Sequence, residues 1–176
     1  MDKKIKTLKN KRGLHLILLL VIVALNVGCD QISKTIVRQK IDDYENISII
    51  KDHFTLTKVE NTGAFLSIGD SLPAAVRFTI LSLFPILVLG YGLFYLFVKT
   101  DLPKGLQLGL CFLLGGGIGN IYDRIRFGSV TDFLHIDFGL FRTGVFNFAD
   151  VSIMIGAGLL FIYTFIRKPK LALSDN

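Results

Sequence analysis

Two aspartates in this sequence sit where an acid side chain is hardest to keep charged. Asp150 closes the run Phe146-Asn147-Phe148-Ala149-Asp150, and an uncharged apolar stretch follows it from Val151 to Ile166. Asp132, in Val130-Thr131-Asp132-Phe133, is similarly short of water and of counter-charge. Two carboxyls brought to about 4 Å repel by roughly 4 kcal/mol at an effective dielectric of 20, so such a pair shares one proton and titrates as a unit. That pairing suits amide hydrolysis. The ionised member takes a proton from water, while the protonated one polarises the carbonyl and stabilises the tetrahedral oxyanion. No metal or cofactor is needed. The same two groups could instead relay protons in a small ion-coupled carrier.

Other polar residues collect near them in sequence. Asp30 and Lys34 are spaced i, i+4 at the end of an apolar run. Asn120, Asp123 and Arg124 share one helical face, and Asn147 precedes Asp150 by three. Each has a plain structural role open to it: an interfacial ion pair for Asp30–Lys34, a helix-end pair for Asp123–Arg124, a helix N-cap or an interhelical hydrogen bond for Asn147. Other nucleophile systems do not assemble. His15, His53 and His135 form no His-x-x-x-His pair and no triad with Ser or Cys, and His135 reads as structural. Cys29 and Cys111 lie far apart in apolar stretches without metal-ligand spacing, and are expected to be small buried hydrophobes. The glycines of Gly115-Gly116-Gly117-Ile118-Gly119 lie within an apolar helix, where they serve close helix packing rather than phosphate binding.

The elements that must position these groups follow from composition. The chain has 176 residues, of which 51% are hydrophobic and 19% charged, and its mean hydropathy is +0.55. A typical soluble domain is roughly 25% charged, so this chain is read as a membrane protein. Four segments are apolar enough to cross a bilayer, each needing about 20 residues. They begin at Leu14, at Phe78, at Gly105 and near Val145. Pro85 is expected to kink the second. The net charge of +6 does not imply nucleic acid, because the basic residues flank apolar segments instead of forming a patch.

Lys and Arg counts beside the spans give an orientation. Eleven lie in the N-terminal flank, the connection between spans two and three, and the C-terminal flank; the short connection between spans three and four carries Arg124, Arg126 and Arg142. Both termini are therefore expected in the cytoplasm. Gly28-Cys29 after a basic stretch and an apolar run is like a lipoprotein signal peptide, but Asn26 stands where that cleavage motif has an aliphatic residue, and the first segment is expected to stay as a helix. The polar stretch after it holds Ile47–Ile50 and Phe54–Val59, rich in β-branched and aromatic residues, followed by an Asn61-Thr62-Gly63 turn. It predicts a small β-unit on the outer face.

Five motifs resemble, in order, those of the bacterial lipoprotein signal peptidases: Asp30-Gln31-Ile32-Ser33-Lys34, Asn61-Thr62-Gly63-Ala64-Phe65, Gly116 to Arg124, Val130-Thr131-Asp132-Phe133 and Phe146-Asn147-Phe148-Ala149-Asp150. The resemblance spans residues 14 to 168; its departures, Ile121-Tyr122 and Thr131, remove no catalytic group. It implies an all-α membrane protein with four transmembrane helices and a small extracytoplasmic β-sheet, a β-cradle, after the first. It makes Asp132 and Asp150 catalytic, with Asp30, Lys34, Asn61, Gly63, Asn120, Asp123, Arg124 and Asn147 lining or supporting the site. The implied substrate is a prolipoprotein cut before a diacylglyceryl-modified cysteine. The implied setting is the bacterial cytoplasmic (inner) membrane, with the site on its extracytoplasmic side. A monomer is expected, because the spans carry no evident dimer face. The expected order is a basic N-terminus (1–13), helix one (14–36), the β-rich unit (37–72), helix two (73–98), a cytoplasmic loop (99–104), helix three (105–124), an outer loop (125–144), helix four (145–167) and a C-terminal tail (168–176). A proton-coupled carrier or a non-catalytic four-span assembly subunit are the competing expectations.

Overall fold

A computed structural model describes residues 2–43, 45–51, 53–64, 68–99 and 102–166, with side chains from Arg12 onward. The 168–176 tail, the basic residues Arg167, Lys168 and Lys170, and Phe65 lie outside the described residues. The order is α1 (Asp2–Lys40), β1 (Asn46–Ile50), β2 (Phe54–Asn61), α2 (Ala74–Phe78), a π-helical turn (Thr79–Leu83), α3 (Phe84–Val98), α4 (Lys104–Phe127), β3 (Val130–Ile136), α5 (Phe148–Phe161) and a second π-helical turn (Ile162–Ile166). Among the described residues, four segments are long and apolar enough to cross a membrane: Arg12–Lys40, Ala74–Val98, Lys104–Phe127 and Phe148–Ile166, here spans one to four. Leu18, Phe84, Leu87, Phe94, Met154 and Phe161 face outward. That surface suits a solvent of acyl chains. The protein is a multi-pass membrane protein.

Span two, expected to kink at Pro85, carries the π-helical turn Thr79–Leu83 just ahead of that proline. Pro85 has no N–H to give the Leu81 carbonyl. Spans three and four pack closely. A Cβ on Gly116 would collide with the Ala149 carbonyl, so only glycine lets the two backbones approach there. Leu19, Val23, Leu96, Cys111 and Leu114 form the core between spans one, two and three. Cys111 is buried as expected, but Cys29 is exposed. The next residue, Asp30, points fully into the bundle, and one helical step of about 100° turns Cys29 away from it.

The sheet differs from the sequence expectation in one strand. The two segments expected to build the β-unit form β1 and β2, an antiparallel pair, but β3 joins them from the connection between spans three and four, giving the order β1-β2-β3. A two-stranded hairpin alone is marginal in water. The third strand supplies an apolar face, with Phe133 and Leu134 buried against Val37 and Ile41 at the end of α1 and against Phe54, Leu56 and Phe146. Gly128, at φ 78°, closes α4 in the left-handed region and turns the chain into β3.

Candidate active site

β3 carries Asp132 to the end of the bundle where α1, α4 and α5 meet the sheet. Asp132 pairs with Val59 of β2 across the ladder, beyond a register shift that follows Leu56. At the end of β2, Asn61 reaches across and donates Nδ2 to Asp132 Oδ2 at 2.9 Å. The predicted turn is present: Gly63 N donates to Asn61 Oδ1 at 3.0 Å, an Asx-turn that fixes the Asn61 amide. Gly63 O in turn accepts from Arg124 Nη2 at 2.8 Å.

Asp150 is held by the start of α5. Asn147 is the N-cap, and a capping box forms: Asn147 Oδ1 accepts from Asp150 N at 3.0 Å, while Asn147 N donates to Asp150 Oδ2 at 3.1 Å. The other carboxyl oxygen, Oδ1, accepts from Asn120 Nδ2 at 2.8 Å. Phe146 pairs with Leu134 of β3 through two short backbone bonds, which brings the cap beside the strand. Asn147 Nδ2 therefore also reaches Asp132 Oδ1, at 2.6 Å. One buried asparagine thus bonds to both carboxyls.

Beneath the pair lies a buried charge cluster. Lys34 Nζ sits 2.8 Å from Asp30 Oδ2 and 3.0 Å from Asp123 Oδ2, and all three side chains are fully buried. Arg38 adds a second cation at 3.0 Å from Asp123 Oδ1. Two cations and two anions cancel, as burial requires. Asp30 Oδ1 also accepts from Ala149 N at 3.0 Å, tying span one to the first turn of α5. Lys34 Nζ makes a further bond to Asn120 Oδ1 at 2.9 Å. That ammonium fixes which end of the Asn120 amide is the acceptor, and so turns its NH₂ towards Asp150.

Asp132 and Asp150 line one cavity of about 60 Å³ together with Asn61, Asn120 and Arg124. A single water needs only about 10–15 Å³ of such space. Burial is the main reason the Asp132 carboxyl rises from its usual 3.8 to about 6; the charge of Asp150 adds to it, while amide bonds from Asn61 and Asn147 and the charge of Lys34 oppose it. The arrangement can hold one proton and one charge against a small polar void.

All ten residues singled out from the sequence converge at this end of the bundle. Two pairings differ from the plain structural readings. Asp123 pairs with Lys34 and Arg38, not with its neighbour Arg124, which faces the cavity. The Asp30–Lys34 pair is buried and carries Asp123 as well. Sequence reasoning missed Gln31, Arg38, Glu60 and Thr131. Gln31 Nε2 bonds Asp30, Asp123 and the Gly119 carbonyl. Arg38 Nε donates to Thr131 Oγ1 at 2.8 Å, which in turn donates to Glu60 Oε1 at 2.6 Å. A signal for Arg38 existed: it continues the i, i+4 row of Asp30 and Lys34.

Four spans, a sheet at one end and a buried polar cleft beneath it define a membrane-embedded enzyme architecture. A solved bacterial membrane enzyme, determined by the in meso method at 2.3 Å resolution, superposes with a TM-score of 0.74 at 26% identity, covering 86% of this chain and 92% of that one. The family model for signal peptidase (SPase) II matches residues 22–166, so the chain belongs to the signal peptidase II family and is a peptidase. A lipoprotein signal peptidase of Halothermothrix orenii is 39% identical over 143 residues, 81% of this chain and 92% of the relative. Another, of Clostridioides difficile, is 34% identical over 153 residues, covering 87% and 98%. Family membership answers the carrier and assembly-subunit alternatives in favour of a peptidase that processes lipoproteins.

Proposed function

We propose that this chain is an aspartyl endopeptidase that cuts prolipoproteins before a diacylglyceryl-modified cysteine, with Asp132 and Asp150 as its catalytic pair. The observation that carries this reading is the double contact of Asn147, which holds together two carboxyls that line one cavity with room for water. Asp132, the more desolvated, keeps the shared proton. Asp150 takes the charge, at the N-terminus of α5 where helix-end N–H groups favour an anion. Asp150 removes a proton from water as its oxygen attacks the scissile carbonyl carbon, and Asp132 gives its proton to the developing oxyanion. Collapse of the tetrahedral species breaks the C–N bond, with the proton from Asp150 passing to the leaving cysteine nitrogen and the oxyanion's proton returning to Asp132. Arg124, whose Nε is buried without a hydrogen-bond partner among the described residues, and Asn61 hold peptide carbonyls of the substrate. Asp30, Lys34, Asn120, Asp123 and Gly63 support this frame.

The Lys and Arg distribution supports a site at the extracytoplasmic face with both termini in the cytoplasm. A signal peptide is itself a membrane helix, and its lipid holds the cleavage point at the bilayer surface. The reading is tested by Asp132→Asn and Asp150→Asn, each incubated in detergent with a diacylglyceryl-modified preprotein. Neither variant forms product while the parent does. Cleavage by Asp132→Asn at the parental rate would overturn the pair.

A further inference from the structure

Between spans two and three the lipid-facing surface is not filled. An apolar groove of about 340 Å³ runs there, walled by Ile86, Gly90 and Leu93 of α3 and by Ile118, Ile121 and Ile125 of α4. At the sheet end of the same two spans a second cleft opens, of about 180 Å³, lined by Thr62, Arg77, Ser82 and Arg124 beside Phe78 and Leu81. The two lie one above the other along the same pair of spans. Ile86, Gly90 and Leu93 step down one face of α3, with Ile125, Ile121 and Ile118 on the facing side of α4, while Phe78 and Ser82 of the upper cleft sit ahead of α3 at the π-helical turn. The seam is apolar below and rich in hydrogen-bond donors at its mouth.

Its depth and chemistry select an occupant. From Ser82 to Leu93 the helix rises about 16 Å, close to the half-thickness of a hydrocarbon core about 30 Å across. A guanidinium offers donors only, and ester oxygens are acceptors only. Arg77 Nη1 is pinned at the mouth by Asp70 O at 3.0 Å and Thr62 Oγ1 at 3.4 Å. Arg124 lines both this mouth and the cavity of the two aspartates, so whatever fills the seam lies next to the scissile bond.

We propose that the seam between spans two and three seats one acyl chain of the substrate's diacylglyceryl group, with its ester carbonyl at the Arg77–Arg124 mouth. The assignment rests on the endopeptidase reading and deepens it by giving the lipid its own subsite. It explains how the lipid can set the cleavage point: a chain held one leaflet deep fixes the height of the modified cysteine beside Arg124.

Gly90 supplies the test, because it lines the groove and a Cβ there meets nothing within 4 Å among the described residues, so a larger side chain projects into the groove. Gly158 on α5 is equally open and lines neither cleft, which makes it the control. Gly90→Leu and Gly158→Leu are assayed with two synthetic lipopeptides that differ only in carrying two palmitoyl or two butyryl chains. Gly90→Leu should raise KM for the palmitoyl substrate about tenfold, the contact of roughly two methylenes, with kcat retained. The butyryl substrate and the Gly158→Leu variant should behave as parent. An equal effect on both substrates, or none, overturns the subsite; failure of the parent to cut either substrate overturns the endopeptidase reading instead. A second measurement needs no variant: a palmitoyl substrate bearing a terminal diazirine is photolysed on the parent, and the adduct mapped. Adducts within 86–93 or 118–125 support the seam. Adducts on span four, or labelling there by a diazirine phospholipid that excess substrate fails to displace, refute it.

Discussion

Lys34→Met removes the cation at the centre of the buried cluster while keeping much of its aliphatic bulk. In the parent, Lys34 neutralises Asp30 at 2.8 Å and Asp123 at 3.0 Å, with all three side chains fully buried. After the substitution, Arg38 alone faces two carboxylates and the cluster carries one net negative charge. Removing one partner from a buried ion pair costs about 3–5 kcal/mol. For a chain of this size that corresponds to a fall in Tm of roughly 6–20 °C. Adding Asp30→Asn restores neutrality, and the amide oxygen this introduces can still accept from Ala149 N. The double variant should regain at least half of the lost stability. Activity should not follow. Lys34 also orients Asn120 through a 2.9 Å bond to its Oδ1, and the Asn120 NH₂ is a donor to Asp150. Both variants should cleave a lipidated preprotein at least about tenfold more slowly, as for a weakened donor at a reacting group. The two readouts are thermal unfolding in detergent micelles and single-turnover cleavage. A single variant melting within about 2 °C of parent would refute the electrostatic reasoning. A double variant with parental cleavage would refute the positioning of Asp150 through Asn120.

Three further outcomes follow from the geometry. With Asp132 at about 6, kcat/KM should be bell-shaped with its alkaline limb near pH 6, and chelators should leave the rate unchanged. Because that carboxyl is raised from 3.8 to about 6 on folding, its stabilising contribution is full below pH 3.8 and is lost as pH rises through 6, by about 3 kcal/mol in all; the stability difference between parent and Asp132→Asn should shift by that amount between pH 3 and 8, and a flat difference would contradict it. Gly116→Ala should destabilise by about 1–3 kcal/mol, since the added Cβ meets the Ala149 backbone carbonyl, which cannot swing aside; unfolding at parental temperature would show that spans three and four separate freely. Arg124→Ala should slow cleavage while the protein still accumulates and melts near the parental temperature, because the bonds lost are to the Gly63 turn, to substrate and, at 3.5 Å, to the Asn120 carbonyl of its own helix; a variant that fails to accumulate would make Arg124 structural.

Much of this molecule is written locally in its residues. Bilayer-length apolar runs, the acidic and amide side chains at their ends, and the Asn61–Gly63 turn depend on hydropathy, helical spacing and short-range hydrogen bonding, which one chain segment decides for itself. The resemblance carried by five motifs named the family as well. What the segments could not decide was partnership. Asp123 beside Arg124 reads as a local pair, yet Lys34 and Arg38, from a helix distant in sequence, claim it, because only packing determines which charges are buried together. Val130–Ile136 reads as a connection until the β1–β2 hairpin needs a third strand to cover its apolar face. The double role of Asn147, cap of its own helix and bridge between two carboxyls, exists only once β3 lies against the start of α5. Local sequence thus set which groups were present and at what depth, whereas long-range packing, the one interaction a short segment cannot encode, chose their partners.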